Sequence, residues 1–322
     1  MRPLFASLLL AAALVHGQTG QAAAPNAVRL TKYILGVADL DKSYAFYHAL
    51  GLELENAAAL GKPIPLPDML LKLVDVPAGT KFRNMMLKIP NAPFALEATE
   101  FTNTDVQSIK PRIQDPGASL FVLAVDELDA ALATAKKAGA EVVTSGGAPV
   151  AGTGRAARAV IVRDPDGYYV ELVQPRGVPA GGGKVIGAAF GSVVSDSEKA
   201  AAFYREQGFT VTTNDWGSDS SANLGTPGAQ VRSASANLPG TNVVWTFFEF
   251  KGVDRKPYTA RIPDPGAPAL GLQVHDIDAA IVAVKAAGGS SITKGGSLQL
   301  GPNGKVGFVR DPNGILVELA QP

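Results

Sequence analysis

One stretch occurs twice in the chain, and it constrains the fold more than any other feature. Residues 163–172 read RDPDGYYVEL and residues 310–319 read RDPNGILVEL. Asp-Pro followed by Asp or Asn and then Gly favours a tight turn, because Pro fixes φ and Gly tolerates positive φ. The alternating apolar residues that follow are typical of a strand. We therefore predict a hairpin in each half, whose second strand carries Glu171 or Glu318.

Other segments repeat at nearly the same distance, which indicates a tandem repeat of the whole chain. The hairpins differ by 311 − 164 = 147 positions, and RIQDPGAS at Arg112 matches RIPDPGAP at Arg261 with a shift of 261 − 112 = 149. The helices that precede Gly51 and Gly208 match with a shift of 208 − 51 = 157. Each half shows strand, helix and three strands, twice. We predict an α+β fold of four βαβββ units, with domains at residues 25–175 and 185–322 and a Gly/Pro linker at 176–184.

The N-terminal segment has the pattern of a secretory signal peptide. Arg2 precedes an apolar run from Leu4 to Val15, and small residues follow. We predict that residues 1–24 contain the signal peptide and a short linker, and that the mature protein is periplasmic or secreted and outside the membrane. An uncleaved anchor is the alternative. Because the chain has no cysteine, its stability outside the cell depends on core packing.

Charge balance excludes one class of partner. The chain has 29 Lys and Arg residues and 29 Asp and Glu residues, without a long run of either sign. Proteins that bind nucleic acid carry a basic patch or stripe, which is missing here. We expect a small-molecule ligand and no nucleic-acid partner.

Three motifs in each half resemble the vicinal oxygen chelate (VOC) superfamily, which includes glyoxalase I, extradiol dioxygenases and bleomycin resistance proteins. In the first half they are VADLDKSYAFYHALGL, DPGASLFVLAVDELDAAL and RDPDGYYVEL. The resemblance implies that two βαβββ units close into a cupped sheet around a ligand pocket. It does not imply one reaction, because fold and chemistry separate readily.

The resemblance also implies places for metal ligands, two of them carboxylates and two often histidines. The carboxylate places hold Glu97 and Glu171 in the first half and Glu249 and Glu318 in the second. The histidine places hold Lys32, Leu120, Ala189 and Ala269. Two carboxylates facing Leu or Ala make a poor transition-metal site. We therefore predict that the protein has no metal site and needs no cofactor, although a divalent cation could be held weakly.

Without a metal, we expect basic side chains to neutralise the carboxylates. In the first half, Lys32 is predicted to lie against Glu97 and Glu171 in a ligand-binding cluster. Arg112 and Arg261 are further candidates for ligand binding. In the second half Ala189 leaves Glu249 and Glu318 without a lysine, so we predict that one of this pair has a raised pKa, unless Arg232 or Arg261 reaches it, and that the pair acts in catalysis.

Three functions remain open at this point. The first is a protein that binds a small organic ligand without a transition metal, and the second is a degenerate glyoxalase-like lyase or isomerase with paired glutamates as acid and base. The third is a structural module with filled cups. An open pocket with aromatic walls would favour the first, and the candidate residues are Tyr168, Trp216, Trp245 and Phe247. Because two domains in one chain can pair internally, we expect a monomer.

Overall fold

The computed structural model describes residues 26–55, 60–238, 241 and 243–322. The predicted signal peptide in residues 1–24 lies outside the described residues. Within the described part, every helix is too short or too polar to traverse a lipid bilayer.

Four βαβββ units follow one another along the chain, as predicted. The first contains β1 (Ala27–Gly36), α1 (Leu40–Ala49), β2 (Glu53–Leu54), β3 (Ile64–Pro65), α2 (Asp68–Val74), β4 (Lys81–Lys88) and β5 (Ala95–Thr102). The second contains β6 (Ser119–Val125), α3 (Leu128–Lys137), β7 (Glu141–Val142), β8 (Val150–Ala151), β9 (Ala156–Arg163) and β10 (Tyr169–Pro175). The third contains β11 (Val185–Val193), α4 (Ser197–Glu206), β12 (Thr210–Gly217), β13 (Gln230–Asn237) and β14 (Val244–Lys251). The fourth contains β15 (Pro268–Val274), α5 (Ile277–Ala286), β16 (Ser290–Ser291), β17 (Leu298–Leu300), β18 (Gly304–Arg310) and β19 (Leu316–Gln321).

The repeated turn forms the predicted hairpin in both halves. The Gly167 N–H donates to Asp164 O at 3.0 Å, and the Asp164 N–H donates to Tyr168 O at 2.9 Å. Gly167 has φ +93°, which a side chain would disfavour. The turn joins β9 to β10 as antiparallel neighbours, and its second copy joins β18 to β19.

Four of the helices in the described residues, α1, α3, α4 and α5, begin at side-chain caps that satisfy some of their first N–H groups, whereas α2 begins after Pro67 without one. Asp39 caps α1 by accepting from the Lys42 N–H. In α4 the cap is Asp196, which accepts from the N–H groups of Glu198 and Lys199.

The strands form two large mixed sheets, and each sheet combines units from both halves of the chain. In the described part, sheet A has the order β16-β18-β19-β15-β1-β5-β4-β2, with β17 beside β18 and β3 beside β4. Sheet B has the order β12-β13-β14-β11-β6-β10-β9-β7, with β8 beside β9. Two antiparallel pairs join the units, β1 with β15 and β6 with β11. We call the concave faces of these sheets cup A and cup B.

The α+β class, the four units and the two cupped sheets are confirmed, but one expectation is corrected. Residues 25–175 and 185–322 do not each close a sheet of their own, because the first unit pairs with the fourth and the second with the third. Two connections, residues 103–118 and 252–267, carry the chain from one sheet to the other. They run side by side, and the Ile109 N–H donates to Pro265 O at 2.7 Å.

A shared core fills the space between the sheets and decides which side chains face the cups. Tyr33 of β1 stacks on Phe121 of β6 with ring centroids 4.8 Å apart. Since neighbouring strand residues point to opposite faces, Lys32 and Ile34 face cup A while Tyr33 faces this core.

Candidate functional site

Cup A contains a cavity of about 280 Å³ beneath the short helix α2. Its walls are mostly apolar and come from the first and fourth units. They include Leu66, Met69, Leu73, Phe82, Phe101 and Phe308. The short helix α2 covers this cavity with Met69, Leu70 and Leu73. It is fastened to the fourth unit, since Thr293 Oγ1 donates to Leu73 O at 2.8 Å.

Three charged side chains form one end of the cavity, which we call the polar floor. Lys32 Nζ lies 2.7 Å from Glu97 Oε2 and 2.8 Å from Glu318 Oε1. Lys32 lies on β1, Glu97 on the neighbouring strand β5, and Glu318 on β19, which β15 separates from β1. Lys32 therefore pairs with Glu318 rather than with the predicted Glu171, because the fourth unit and not the second completes this sheet.

Asn84 completes the polar floor from β4. Its Nδ2 donates to Glu97 Oε1 at 2.7 Å and to Thr99 Oγ1 at 2.8 Å. These bonds fix Glu97 from the side opposite Lys32, so the carboxylate is held in one orientation. Sequence analysis missed Asn84, although a polar residue two places from Phe82 on an alternating strand is a signal that could have identified it.

The polar floor shifts the pKa values of two of its members. Burial alone would lower the pKa of Lys32, but the Glu97 and Glu318 carboxylates outweigh it and raise that pKa above its usual value. Burial raises the pKa of Glu318, Lys32 lowers it, and the nearby Glu97 carboxylate raises it, with a net upward shift. Lys32 is thus stabilised as an ammonium. The ionised form of Glu318 is less favourable than in water, because the side chain is buried beside a second carboxylate.

A glycine allows Lys32 to reach Glu318. In the strand register, Gly271 of β15 lies between Lys32 of β1 and Glu318 of β19. A Cβ atom at this position would lie 3.2 Å from both Cβ and Cε of Lys32, and 2.8 Å from Thr31 Oγ1. The absence of a side chain at 271 therefore leaves the path along which the lysine crosses the intervening strand.

Cup B has the same register but different side chains. Val122 of β6 lies between Ala189 of β11 and Glu171 of β10, as Gly271 lies between Lys32 and Glu318. The repeat shift gives the same match, since 122 + 149 = 271 and 189 − 157 = 32. Glu171 therefore has no lysine beside it, and a valine stands where the lysine would cross.

A loop of the third unit covers Glu171. Asn223 Nδ2 donates to Glu171 Oε1 at 2.6 Å. The neighbouring Leu224 is buried among cup residues such as Leu120 and Phe250. Burial raises the pKa of Glu171 to about 7, and the Asn223 hydrogen bond opposes this shift. Cup B is thus partly filled by its own chain, whereas cup A is open.

A sequence model of the Glyoxalase/Bleomycin resistance protein/Dioxygenase superfamily matches residues 29–172 and 188–319. The chain belongs to this superfamily. The two matched segments correspond to the two halves of the repeat. A search of curated protein sequences gave no match.

Solved members of the superfamily share the fold of this protein. Glyoxalase I from Zea mays superposes with a TM-score of 0.55 at 22% identity, over 91% of this chain and 92% of that chain. A mutant of the same maize enzyme gives a TM-score of 0.57 at 21% identity, over 91% and 93% of the two chains. At this identity the likeness shows the fold alone.

The metal-ligand places of the superfamily do not fit a transition metal here. In cup A they come together as Lys32, Glu97, Ala269 and Glu318, and in cup B the corresponding set contains Leu120, Ala189 and Glu171. Lys32 places an ammonium against both carboxylates of cup A, where a cation would otherwise bind. Among the described residues, no group of three or more His, Cys, Asp or Glu side chains could hold a metal ion.

The structure separates Glu249 from Glu318, which we predicted to be a catalytic pair. Glu249 lies in sheet B. The repeat shift of 149 matches it with Glu100, since 249 − 149 = 100. The same shift makes Thr246 the counterpart of Glu97. Positions 97 and 100 differ by three and therefore face opposite sides of a strand. Glu249 accepts from the Ser197 N–H at 2.9 Å and from Arg232 Nη2 at 2.7 Å, which secures the start of α4.

Arg112 and Arg261, predicted to bind ligand, brace the connections between the sheets instead. Arg112 Nη2 donates to Asp115 Oδ1 at 2.7 Å, and Arg261 Nη2 donates to Asp264 Oδ1 at 2.7 Å. Each pair closes an Asp-Pro-Gly turn. Neither arginine lines the cup A cavity. Both arginines precede an Asp-Pro-Gly turn in the sequence, and this turn motif indicates a structural role for them.

The aromatic residues expected to line a pocket also lie elsewhere. Tyr168, Trp245 and Phe247 are buried in the core between the sheets. Trp216 lies on β12, where Arg232 stacks over its ring at 4.9 Å. The cavity walls use phenylalanines of β4, β5 and β18, which face the cup because of strand alternation.

Proposed function

We propose that this protein is an exported member of the superfamily that binds a small organic ligand in cup A without a transition metal. The observation that carries the proposal is a cavity of about 280 Å³ with apolar walls and a polar floor at one end. Ligand sites commonly combine an apolar lining with a few convergent polar groups. Cup B, whose Glu171 is covered by Asn223, has a supporting role.

Lys32 replaces the metal in the electrostatics of the polar floor. Its ammonium lies between Glu97 and Glu318 and offsets part of their charge. An ammonium cannot coordinate several ligand oxygens as a metal ion does, so the ligand is held by hydrogen bonds and apolar contact. The walls around Met69 and Phe308 exclude water from the bound molecule.

A thermal-shift screen of small metabolites and drug-like compounds in excess EDTA tests this proposal. We expect hits that raise Tm equally with and without EDTA. Leu70→Trp should fill the cavity and abolish the shift, whereas Val282→Trp, on the exposed face of α5, should retain it. Shifts that persist in Leu70→Trp, or that require a divalent ion, would contradict the proposal.

A second candidate is a lyase or isomerase in which the glutamates of cup A transfer protons. The favouring observation is that Glu97 and Glu318 both line the cavity and that burial raises the pKa of Glu318. A carboxyl with a raised pKa can act as a general acid. Deuterium exchange from solvent into a bound hit, lost in Glu318→Gln, would support this candidate over simple binding.

Export and a monomeric state are parts of the same proposal. Residues 1–24 carry the signal-peptide pattern, and both cups are completed within one chain. Mass spectrometry of protein from the periplasm or medium should give a mature N-terminus near residue 18 or 25. Light scattering should give the mass of one chain, and a dimer would contradict this part.

A further inference from the structure

The charge within cup A identifies a class of ligand. Among the residues that line the cavity, only Lys32, Glu97 and Glu318 are charged, which gives +1 − 2 = −1 when all three are ionised. The other strands and α2 contribute apolar or neutral side chains to the lining. The cavity therefore has one negative charge that no side chain of its lining neutralises.

Of the two carboxylates of the polar floor, Glu318 has the fewer polar partners among the described residues. Only 9% of the residue is exposed, and Lys32 lies beside Oε1. Among the described residues, Oε2 of this carboxylate accepts no hydrogen bond from a side chain or from the backbone. Glu97 differs because Asn84 donates to its Oε1. Glu318 lines the cavity, so this oxygen can accept a charge-assisted hydrogen bond from a donor on a bound molecule.

The shape of the cavity adds a second requirement. The polar floor occupies one end, and the walls beyond it are formed by residues such as Met69, Leu73, Phe101 and Phe308. A bound molecule therefore meets polar groups only at its head and apolar surface along its body. An ammonium at the head would gain from the net charge, a hydroxyl would gain only a hydrogen bond, and a carboxylate would be repelled.

We propose that the ligand of cup A is an organic monocation, an amine with an apolar body, whose ammonium pairs with Glu318. This inference rests on the proposed function, because it names the ligand class of the same cavity. The ammonium enters beside Lys32 and neutralises the remaining charge of the floor. The apolar body lies under α2, against the phenylalanine side chains.

Proton binding competes with this ligand. The titratable groups that face Glu318 are Lys32 from β1 and Glu97 from β5, and the neighbouring strands β15 and β18 present Ala269, Gly271, Val306 and Phe308. Burial raises the pKa of Glu318, so acidification neutralises it more readily than an exposed glutamate. Amine affinity should therefore fall as the pH is lowered, whereas the affinity of a neutral analogue should not.

Three probes of equal size test the inference by calorimetry at pH 8 in EDTA: 3-phenylpropylamine, 3-phenylpropan-1-ol and 3-phenylpropionate. We expect the amine to bind at least tenfold tighter than the alcohol and the carboxylate to bind weakest. Glu318→Gln should bring the amine and the alcohol within threefold of each other. Glu249→Gln removes the same charge from the α4 cap outside cup A, so it should leave the preference unchanged.

The wild-type protein provides a test that does not depend on the folding of a variant. Between pH 8 and pH 5 the amine affinity should fall, because burial raises the pKa of Glu318, and the alcohol affinity should stay constant. Binding of the alcohol or the carboxylate as tightly as the amine, or of none of the three probes, overturns the inference. If metabolite hits still fill cup A in that case, the proposed function stands, and if none does, both fail.

Discussion

Lys32 and Glu318 are separated by 318 − 32 = 286 positions, yet Lys32 Nζ lies 2.8 Å from Glu318 Oε1 at the floor of cup A. The contact exists because β1 and β19 both flank β15. It joins the first and the last unit of the chain at the proposed ligand site. Integrity of the site therefore depends on the pairing of the two ends of the sequence.

Gly271→Ala should break this contact. The new Cβ would lie 3.2 Å from Lys32 Cε and 2.8 Å from Thr31 Oγ1, so the lysine must move. We expect a loss of about 1–3 kcal/mol in the free energy of unfolding and weaker binding of cup A ligands. Gly187→Ala is the matched control, because its Cβ would meet only Ala124 Cβ at 3.8 Å. Equal behaviour of the two variants in urea denaturation would argue against this role.

Lys32→Met should make the free energy of unfolding fall as the pH rises. Without the ammonium, Glu318 faces the Glu97 carboxylate with nothing to offset the repulsion, so the pKa of Glu318, already raised by burial, rises further. A raised carboxyl pKa lowers stability as the pH increases through it. We expect a loss of about 2–3 kcal/mol at pH 8 and a smaller loss at pH 5. A loss of equal size at both pH values would show that the lysine contributes only its packing.

Ionisation of Glu171 should lower the free energy of unfolding as the pH rises from about 4.5 to about 7, because burial raises the pKa of Glu171 from 4.5 to about 7. The folded state binds the extra proton in this window, so stability is highest below it and lowest above it. Glu171→Gln should remove the effect and be more stable than wild type at pH 8, by a difference on the order of 1–3 kcal/mol. The free energies of unfolding of wild type and Glu171→Gln are measured in urea at several pH values. Their difference isolates the ionisation of Glu171 from that of Asp164, whose pKa is also about 7.

Glu249→Gln should affect folding and leave ligand binding unchanged. Glu249 accepts hydrogen bonds from Ser197 and Arg232 at the start of α4, and it lies in sheet B. We expect a loss of about 1–2 kcal/mol from the weaker bonds of a neutral acceptor. Glu100→Gln, at the matching place in sheet A, should show a loss of similar size. A change in the affinity of a cup A ligand would restore Glu249 as a functional candidate.

Cleavage of the linker should not separate the halves. A protease site inserted at residues 178–182 lies outside both sheets, whereas β1 pairs with β15 and β6 pairs with β11 across the halves. We expect the cut protein to elute as one species in size-exclusion chromatography and to retain its ligand. Two separate fragments under native conditions would be incompatible with the observed sheet order.

Local sequence patterns predicted the elements well. The Asp-Pro turns, the helix caps and the strand alternation depend on neighbouring residues, and they placed the four units and the carboxylates Glu97 and Glu318. Pairing between units could not be predicted in the same way. Because the second and fourth units match each other, either one satisfies the exposed edge of β1. The partner of Lys32 was therefore assigned to Glu171 in place of Glu318.

A different error concerned the face of a strand. Glu249 was matched with Glu97, but the shift of 149 that aligns Arg83 with Arg232 also aligns Glu100 with Glu249. A displacement of three positions inverts the side to which a residue points. The role of Gly271 lay beyond any local pattern, since the need for a missing side chain arises only when Lys32 crosses its strand.

The order of strands in sheet A has a consequence for biosynthesis. The edge of β1 cannot find its partner β15 until Pro268–Val274 has been made, more than two hundred residues later. Until then the first unit is an open sheet with an unpaired edge, which is prone to pair with other chains. Contacts so distant in sequence also make folding slow. Late closure of sheet A therefore leaves the edge of β1 dependent on its surroundings for protection from aggregation until the fourth unit pairs with it.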